Sequence, residues 1–581
     1  MSQQRRTWHN DLRWIVSFLP SARRRFALAL FIVILYSLSS VLRPFVTQYV
    51  IDGPIQTNDW HGLWQGALLF FGLVMVNAIM AFLNEYYNFF IGIEVVTHLR
   101  GHVFGRLLRG TIAFFDTTPV GRLVTRSVSD IEAMADMFSH GLISIVGDML
   151  LLGLIFGLMI VTDWRLALIT LSVLPLLIGA SYVFKESVRK GFYHIRNLIS
   201  RMNTFLQERI TGIFTVKSLA IEPQEFRRFQ QLNDELLRGH FRVIFAYALF
   251  FPVLELLFSV ALALILWGGL EVLHENGVTF GTLVAFIMYV NLVFGPIRRM
   301  ADRFNSIQMG LVAAERVRQV MESVPMEPKG GNQSYPIVGR IRFDRVGFAY
   351  VPGQWVFREV SFDVPAGGQL ALVGKTGAGK TTVANIIARF YPYQEGRVMV
   401  DGHPIESYNL TYYRNHLAVV TQDVFLLSDS LLNNITLYRD DIPRDRIEAA
   451  VEELGMRDFI DQLPGQLEYR LQERGVDLSA GQRQLIAFLR AYVRNPAILI
   501  LDEATSAVDE IYEELIQRAT DRLLRHRTSI IIAHRLSTIR GADLILVFHE
   551  GRIIERGTHE TLMRNRGYYA HLVETQFEVA S

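Results

Sequence analysis

Residues 374–381 read Gly-Lys-Thr-Gly-Ala-Gly-Lys-Thr, which matches the phosphate-loop pattern G-x-x-x-x-G-K-[ST] without a mismatch. Glycines let successive backbone N–H groups turn toward phosphate oxygens, Lys380 reaches the terminal phosphates, and the Thr381 hydroxyl suits Mg²⁺. Apolar residues over 369–373 predict a strand entering the loop, and residues 383–389 predict a helix leaving it. The helix N-terminus then faces the phosphates, so this stretch predicts a nucleotide-binding site.

Other residues suited to phosphate chemistry occur at strand ends in the same half of the chain. Asp502 ends an apolar run and is placed to hold Mg²⁺, usually through water. Glu503 is next to it and is placed to polarise an attacking water. His534 follows another apolar run and is a candidate contact for the γ-phosphate, while Tyr350, upstream of the loop, is a candidate to stack on adenine. Each signal is weak alone, but their order together predicts an ATPase.

One further element, Leu478-Ser-Ala-Gly-Gln482, places a hydroxyl and a glycine at a predicted helix start. Such a helix start suits an anion. Within a single chain this element has no evident task.

The composition separates two halves. The 581-residue chain is 50% hydrophobic with a mean hydropathy of +0.24, and its long apolar runs lie in the first ~300 residues. A net charge of +2 gives no indication of nucleic-acid binding. The chain has no cysteine, which excludes disulfides, thiolate metal sites and cysteine nucleophiles.

Six apolar stretches are long enough to cross a hydrocarbon core of ~30 Å as helices. They lie near 26–50, 63–84, 139–161, 166–184, 243–270 and 279–297. Lys and Arg are concentrated before the first stretch, after the second, between the fourth and fifth and after the sixth. This distribution predicts that both termini and the ATPase half are cytoplasmic.

The two long cytoplasmic connections, 85–138 and 185–242, have apolar residues at helical spacing. We expect the helices to continue beyond the bilayer and to break near 114–119 and at Thr211-Gly212. Such breaks form short turns that are suited to dock onto the ATPase half.

Four polar residues fall in or near the predicted spans. They are Asn77, Asp148, Glu255 and Asn291. Ionisable groups at membrane depth are costly and often functional. Two interpretations remain open for them: binding a cationic group of a substrate, or pairing within the helix bundle.

Taken together, these motifs resemble those of the ABC exporters, specifically half-transporters that fuse one membrane domain to one nucleotide-binding domain. The resemblance covers essentially the whole chain. Walker A corresponds to Gly374–Thr381, the Q-loop holds Gln422, and the signature corresponds to Leu478–Gln482. Walker B ends at Asp502, Glu503 corresponds to the catalytic glutamate, and the H-loop holds His534.

The resemblance implies a full set of site residues. Glu503 and His534 would be catalytic. The residues implied to bind ATP are Tyr350, Gly374, Lys375, Thr376, Gly377, Ala378, Gly379, Lys380, Thr381, Thr382, Gln422, Ser479, Gly481 and Gln482. The residues implied to hold Mg²⁺ are Thr381, Gln422 and Asp502.

The same resemblance implies the architecture. The fold class is a membrane α-helical domain of six transmembrane helices, followed by an α/β P-loop ATPase domain with an ABC helical subdomain. The expected boundaries are 1–321 for the membrane domain, 322–338 for a linker and 339–581 for the nucleotide-binding domain. Residues 114–123 resemble the first coupling region of exporters.

A second half-transporter chain is the implied partner, because the family binds ATP between Walker A of one chain and the signature of the other. Ser479 and Gly481 would then act in trans. Ala480 stands where the family usually has glycine, a change that fits a heterodimer with one altered site. A homodimer and a heterodimer both remain open.

The leading functional expectation is ATP-driven export or flipping of amphipathic small molecules, lipids or peptides. The alternatives are an importer on the exporter fold and an ATP-gated channel or regulator. A soluble ABC ATPase acting on DNA or ribosomes disagrees with the six spans. Membrane lipids are expected partners, nucleic acid is not, and a prokaryotic inner membrane is the expected location. The exported substrate is not identified by the sequence.

Overall fold

The computed structural model describes residues 14, 22–274, 278–502, 510–533 and 536–577 of the chain. These residues form two compact units. One comprises Met1–Leu108 and Pro119–Val324, and the other comprises Arg109–Thr118 and Pro325–Ser581. The short segment Arg109–Thr118 therefore packs with the C-terminal unit, although it is connected in sequence to the N-terminal one.

The first 323 residues are helical wherever the structure describes them, apart from short turns. The helices are α1 (Ala22–Val50), α2 (Trp60–Leu107), α3 (Ile112–Thr117), α4 (Val120–Ser127), α5 (Ser129–Asp136), α6 (Ile143–Thr162), α7 (Trp164–Ser172), α8 (Leu174–Thr211), α9 (Ile213–Ser218), α10 (Glu222–His274) and α11 (Phe280–Ser323). Within the described ranges, six helical segments are long and apolar enough to cross a membrane. The six predicted spans are thus confirmed.

The membrane helices extend well past the apolar spans. Helix α2 has 48 residues, so at 1.5 Å per residue it is about 72 Å long, more than twice the thickness of a hydrocarbon core. Helix α8 ends at Thr211, next to Gly212, and the short α9 follows. Both features agree with the helical periodicity and the Thr211-Gly212 break read from the sequence.

The C-terminal unit combines two sheets with helices. Its strands are β1 (Ile341–Val351), β2 (Gln354–Val364), β3 (Gln369–Val373), β4 (Glu395–Val400), β5 (His403–Pro404), β6 (Leu417–Val420), β7 (Ile498–Asp502), β8 (Thr528–Ile532), β9 (Leu544–His549) and β10 (Arg552–Gly557). Its helices are α12 (Lys380–Ile387), α13 (Leu410–Asn415), α14 (Leu431–Thr436), α15 (Arg444–Leu454), α16 (Arg457–Asp461), α17 (Ala480–Arg494), α18 (Glu510–Leu524), α19 (Leu536–Arg540), α20 (His559–Asn565) and α21 (Tyr568–Leu572).

The larger sheet positions the candidate site. Its strand order is β10-β9-β3-β8-β7-β6, and its strands pair in parallel from β9 through β6. Strands β3, β7 and β8 are buried along nearly their whole length, as expected for a sheet covered on both faces. The carboxyl ends of β3, β6, β7 and β8 meet at one edge, where α/β folds bind ligands. The predicted α/β ATPase fold is confirmed.

The predicted linker, 322–338, includes a segment that lies against the ATPase unit. Gly331 N–H donates to the carbonyl of Glu406 at 2.8 Å, and Glu327 forms a bidentate ion pair with Arg414 at 3.0 and 2.7 Å. Tyr335 stacks on His403 with ring centroids 3.8 Å apart. The domain boundaries themselves remain a prediction.

Candidate functional site

The loop between β3 and α12 needs glycine at two positions. Gly374 has φ +149°, and a Cβ there would lie 2.2 Å from the Phe548 carbonyl oxygen, so a larger residue does not fit. Gly379 has φ +106° and immediately precedes α12. This backbone turns the chain sharply from strand to helix and leaves the first N–H groups of α12 at the sheet edge.

Lys380 lies in the first turn of α12 and is 6% exposed. Its ammonium donates to the carbonyls of Gly374 and Lys375, the latter at 2.9 Å. Burial lowers the pKa of Lys380, and the nearby Asp502 carboxylate opposes that shift. The ammonium is thus held across the mouth of the loop, where the loop carbonyls stand in for the phosphate oxygens it is predicted to bind.

Three oxygen-bearing side chains occupy the same sheet edge. Thr381 is exposed in the first turn of α12, Gln422 follows β6, and Asp502 ends β7, which pairs with β6. Neither Thr381 nor Gln422 makes a side-chain hydrogen bond to any residue in the described ranges. Hydroxyl, amide and carboxylate oxygens are the hard ligands that Mg²⁺ prefers, so this set fits that ion.

Tyr350 at the end of β1 lies beside the loop helix. Its hydroxyl is 3.2 Å from the hydroxyl of Thr382 and accepts a hydrogen bond from Asn385 at 3.3 Å. Its ring is 47% exposed. The structure therefore places the predicted adenine-stacking residue next to the loop, with its ring available to a ligand.

The Ser-Ala-Gly-Gln element forms the start of α17. The Ser479 hydroxyl accepts from Gln482 N–H at 3.3 Å, and the Gln482 side chain accepts from Ser479 N–H at 2.9 Å. Gln482 also donates to Tyr512 at 2.9 Å, while Gly481 is buried and Ala480 is exposed. This reciprocal cap fixes the first turn of α17 and presents the Ala480 methyl outward.

The remaining predicted residues divide into two groups. Lys375, Thr376 and Gly377 are exposed in the loop, and Ala378 is buried at its base. Glu503 and His534, both predicted as catalytic, lie outside the described residues. Their roles therefore remain predictions, although β7 and β8, which end just before them, lie side by side.

Two residues that sequence reasoning did not connect, Tyr391 and Asp116, join this site to α3. The Tyr391 ring packs edge-on against Tyr350 with centroids 4.9 Å apart, and its hydroxyl donates to the Asp116 carboxylate. Burial and this carboxylate raise the pKa of Tyr391. The pair is 275 residues apart in sequence, so no local pattern signals it. The region around Asp116 was predictable as a coupling segment, but its contact was not.

Arg490 is a second residue that the sequence did not indicate. From α17 it donates to the Phe425 carbonyl at 2.7 Å and to both the carbonyl and the side chain of Asn434. Burial lowers its pKa to about 10. Arg490 thereby ties the signature helix to the segment that follows Gln422.

The four polar residues of the membrane unit have different surroundings. Asn77 donates to Ser39 and Ser40 at 2.8 Å each, and Asn291 bonds to the Ile287 carbonyl of its own helix. Both therefore satisfy their side-chain amides within the bundle. Asp148 is buried and paired with arginines, whereas Glu255 is exposed on α10.

Comparisons with known proteins agree along the chain. Residues 26–297 match the family model of the ABC transporter transmembrane region, and residues 357–506 match that of the ABC transporter. The chain is 34% identical to the uncharacterized ABC transporter ATP-binding protein YknV of Bacillus subtilis, over 92% of this chain and 88% of that protein. It is 33% identical to the ATP-dependent lipid A-core flippase of Salmonella typhimurium, over 93% and 92%. A bacterial Atm1-family ABC exporter solved with ATP bound has a TM-score of 0.77 at 26% identity, over 96% and 98%.

Proposed function

Since the chain belongs to the ABC exporters as a fused half-transporter, we propose that two such halves move an amphipathic substrate across the membrane by alternating access. It is an integral multi-pass membrane protein, and its nucleotide-binding domain hydrolyses ATP to drive export. Small molecules, lipids and peptides are the proposed substrate classes. Both termini face the cytoplasm of a prokaryotic cell, a proposal that the placement of Lys and Arg supports.

The observation that carries the ATPase part of this proposal is the position of the Lys380 ammonium. It lies between two loop carbonyls and near Asp502, at the helix N-terminus where phosphates bind. Incoming phosphate oxygens would replace the two carbonyls as its acceptors. Thr381, Gln422 and Asp502 would hold Mg²⁺. The bound ion would neutralise the negative charge that develops on the phosphate oxygens.

Hydrolysis requires a base and a second chain. Glu503, directly after β7, is the proposed group that polarises the attacking water. Ser479 and Gly481 would contact the ATP held by the other half-transporter. The preformed cap of α17 supports this, because a fixed helix N-terminus is suited to a γ-phosphate. ATP then favours one state of the membrane helices only if it binds the closed pair of ATPase domains better than the open one.

The test is Mg²⁺-ATP hydrolysis by the purified full-length chain in nanodiscs, with the Glu503→Gln variant beside it. We expect turnover in the natural chain and nearly none in Glu503→Gln, which should still bind ATP. Normal turnover in Glu503→Gln would refute the assignment of the base. A well-folded natural chain without turnover would instead indicate that a different partner subunit is required.

A further inference from the structure

The membrane unit contains a half-open polar cavity of about 780 Å³. Helices α1, α2, α5, α6 and α11 contribute to its walls, and five of the residues that line it carry a carboxylate or a guanidinium group. They are Glu85, Asp136, Asp148, Arg299 and Arg303. The volume is typical of a small-ligand site. Of the five, Asp148 lies within a predicted span, where an ionisable group is costly and often functional, and the other four lie just beyond the ends of the predicted spans.

The two arginines of the cavity share an acidic partner. The Asp148 side chain is 7% exposed and accepts hydrogen bonds from Arg299, at 3.3 Å, and from Arg303. Arg303 also donates to the Ser144 carbonyl at 2.8 Å. Two guanidinium groups thus share the Asp148 carboxylate, and the Glu85 carboxylate also interacts electrostatically with Arg303. Because the Arg299 side chain is 52% exposed, it retains N–H donors for an anion.

Two further carboxylates line the cavity, those of Glu85 and Asp136. Both are exposed, and neither forms an ion pair with any residue that the structure describes. Glu85 follows the second predicted span and Asp136 precedes the third, so both lie at the cytoplasmic end in the orientation proposed above. The cavity therefore carries both basic and acidic side chains instead of a field of one sign.

We propose that this cavity selects a zwitterionic substrate, with an anionic group against Arg299 and Arg303 and an ammonium group against Glu85 and Asp136. The inference rests on the proposed export function and adds its substrate class. A purely anionic ligand would be repelled by the Glu85 and Asp136 carboxylates, and a purely cationic one would be repelled by the Arg299 and Arg303 guanidinium groups. A phospholipid headgroup that carries an ammonium and a free zwitterion share this chemistry.

Binding without nucleotide tests the proposal on the purified full-length chain, independently of turnover. The probes are lysophosphatidylethanolamine, lysophosphatidylglycerol and a trimethylammonium amphiphile, all with the same myristoyl-length chain, plus free phosphoethanolamine. We expect the zwitterionic lysolipid to bind at least about tenfold more tightly than the anionic and cationic probes, as one charge-assisted contact implies.

Variants locate the site. Arg299→Gln and Glu85→Gln should each weaken binding of the zwitterionic lysolipid by about tenfold. The exposed α8 pair provides matched controls, because Arg189→Gln and Glu186→Gln remove the same charges away from the cavity. The double variant Glu85→Gln/Asp136→Asn should bind lysophosphatidylglycerol more tightly than the natural chain does. A gain of this kind does not arise from misfolding.

Equal affinity for the three lysolipid-like probes, or no gain for the anionic probe in the double variant, would overturn the proposal. Free phosphoethanolamine that binds as tightly as the lysolipid identifies a soluble zwitterion as the ligand, and a requirement for the acyl chain identifies a lipid; both support the class. Failure of the export function is distinguishable, because it would appear as ATP hydrolysis without ATP-driven movement of the bound lysolipid across the membrane, whereas a lack of zwitterion preference in nucleotide-free binding refutes this inference alone.

Discussion

Lys380 is the residue on which we expect ATP binding to depend most. Its ammonium is already desolvated and bonded to loop carbonyls, so little reorganisation is needed to accept phosphate oxygens. We expect Lys380→Ala to weaken ATP binding by about tenfold to a hundredfold, the range of one or two charge-assisted hydrogen bonds. Equilibrium titration with a fluorescent ATP analogue checks this, with Lys329→Ala as a control at an exposed site. Unchanged affinity in Lys380→Ala would contradict the loop assignment.

Ala480 is the residue where the signature departs from the usual glycine. Its methyl is exposed at the first position of α17, and the cap that fixes this helix is made by Ser479 and Gln482. Removing the methyl leaves the cap intact and opens space at the surface that would face the second chain's ATP. We therefore expect Ala480→Gly to preserve or raise the ATPase rate, measured as kcat under saturating Mg²⁺-ATP. A collapse of kcat would mean that the methyl is required.

At the scale of residues, the sequence predicts features that are formed by neighbouring positions and misses contacts between distant positions. The loop from Gly374 to Thr381 and the start of α17 follow from spacings of a few residues, and the structure places both as expected. The Tyr391–Asp116 contact joins residues 275 positions apart, and the Arg490 contacts join α17 to a segment 56 and 65 positions earlier. Long-range side-chain pairs leave no periodicity, so one sequence does not reveal them.

At the scale of elements, α3 is the part of the helical half that packs with the ATPase unit. Thr111 N–H donates to the Pro325 carbonyl at 3.1 Å, Glu327 N–H donates to the Arg109 carbonyl at 2.8 Å, and Asp116 accepts from Tyr391. Since Tyr391 also packs on Tyr350, the proposed adenine-stacking residue, a change at Tyr350 has a short physical route to α3. The route is two aromatic rings and one hydrogen bond.

We expect Tyr391→Phe to weaken coupling while leaving ATP affinity nearly unchanged, because the ring packing on Tyr350 remains and only the hydroxyl is lost. The chain has no natural cysteine, so a spin label can be attached at a single site. A label on Thr57→Cys, between the first two spans, reports the distance between the two membrane units of a dimer. ATP should change the label-to-label distance less in Tyr391→Phe than in the parent. The control is Tyr412→Phe, whose hydroxyl bonds to no described residue. An identical ATP-driven distance change in Tyr391→Phe would contradict this route.

Arg490 holds two elements of the helical subdomain together. Replacing it with glutamine leaves the Phe425 and Asn434 carbonyls and the Asn434 side-chain oxygen without their charged donor. We expect Arg490→Gln to lower the free energy of unfolding of this unit by about 3 kcal/mol. A lower Tm in thermal unfolding is the measurement. The control is Arg518→Gln, which loses only an exposed ion pair with Glu514 at 3.9 Å and should leave Tm nearly unchanged. Equal decreases of Tm in the two variants would show that the Arg490 hydrogen bonds do not stabilise this unit.

At the scale of the whole molecule, the membrane helices are incompletely covered within one chain. In the most apolar 18-residue stretch of α2 only 6% of residues are buried, and in the most apolar stretch of α10 only 17% are buried. The six spans follow directly from hydropathy. The exposed faces of α2 and α10 are covered by lipid or by a second chain, and a single sequence does not show which residues or lipids those are. The proposed in-trans ATP site is the same kind of property, because it would join Lys380 of one chain to Ser479 of another.

A complementation experiment tests that arrangement. Lys380→Ala disables the phosphate loop, and Ser479→Arg blocks the signature. Each composite site takes its loop from one chain and its signature from the other. In a dimer of two identical variant chains, both composite sites are therefore defective. A mixed dimer combines both defects in one site and leaves the other site intact. We expect differently tagged variants, co-expressed and purified through both tags, to regain ATP turnover that each variant lacks alone. Mixed dimers as inactive as the single-variant ones would contradict the in-trans site, since a site made within one chain has no means of complementation.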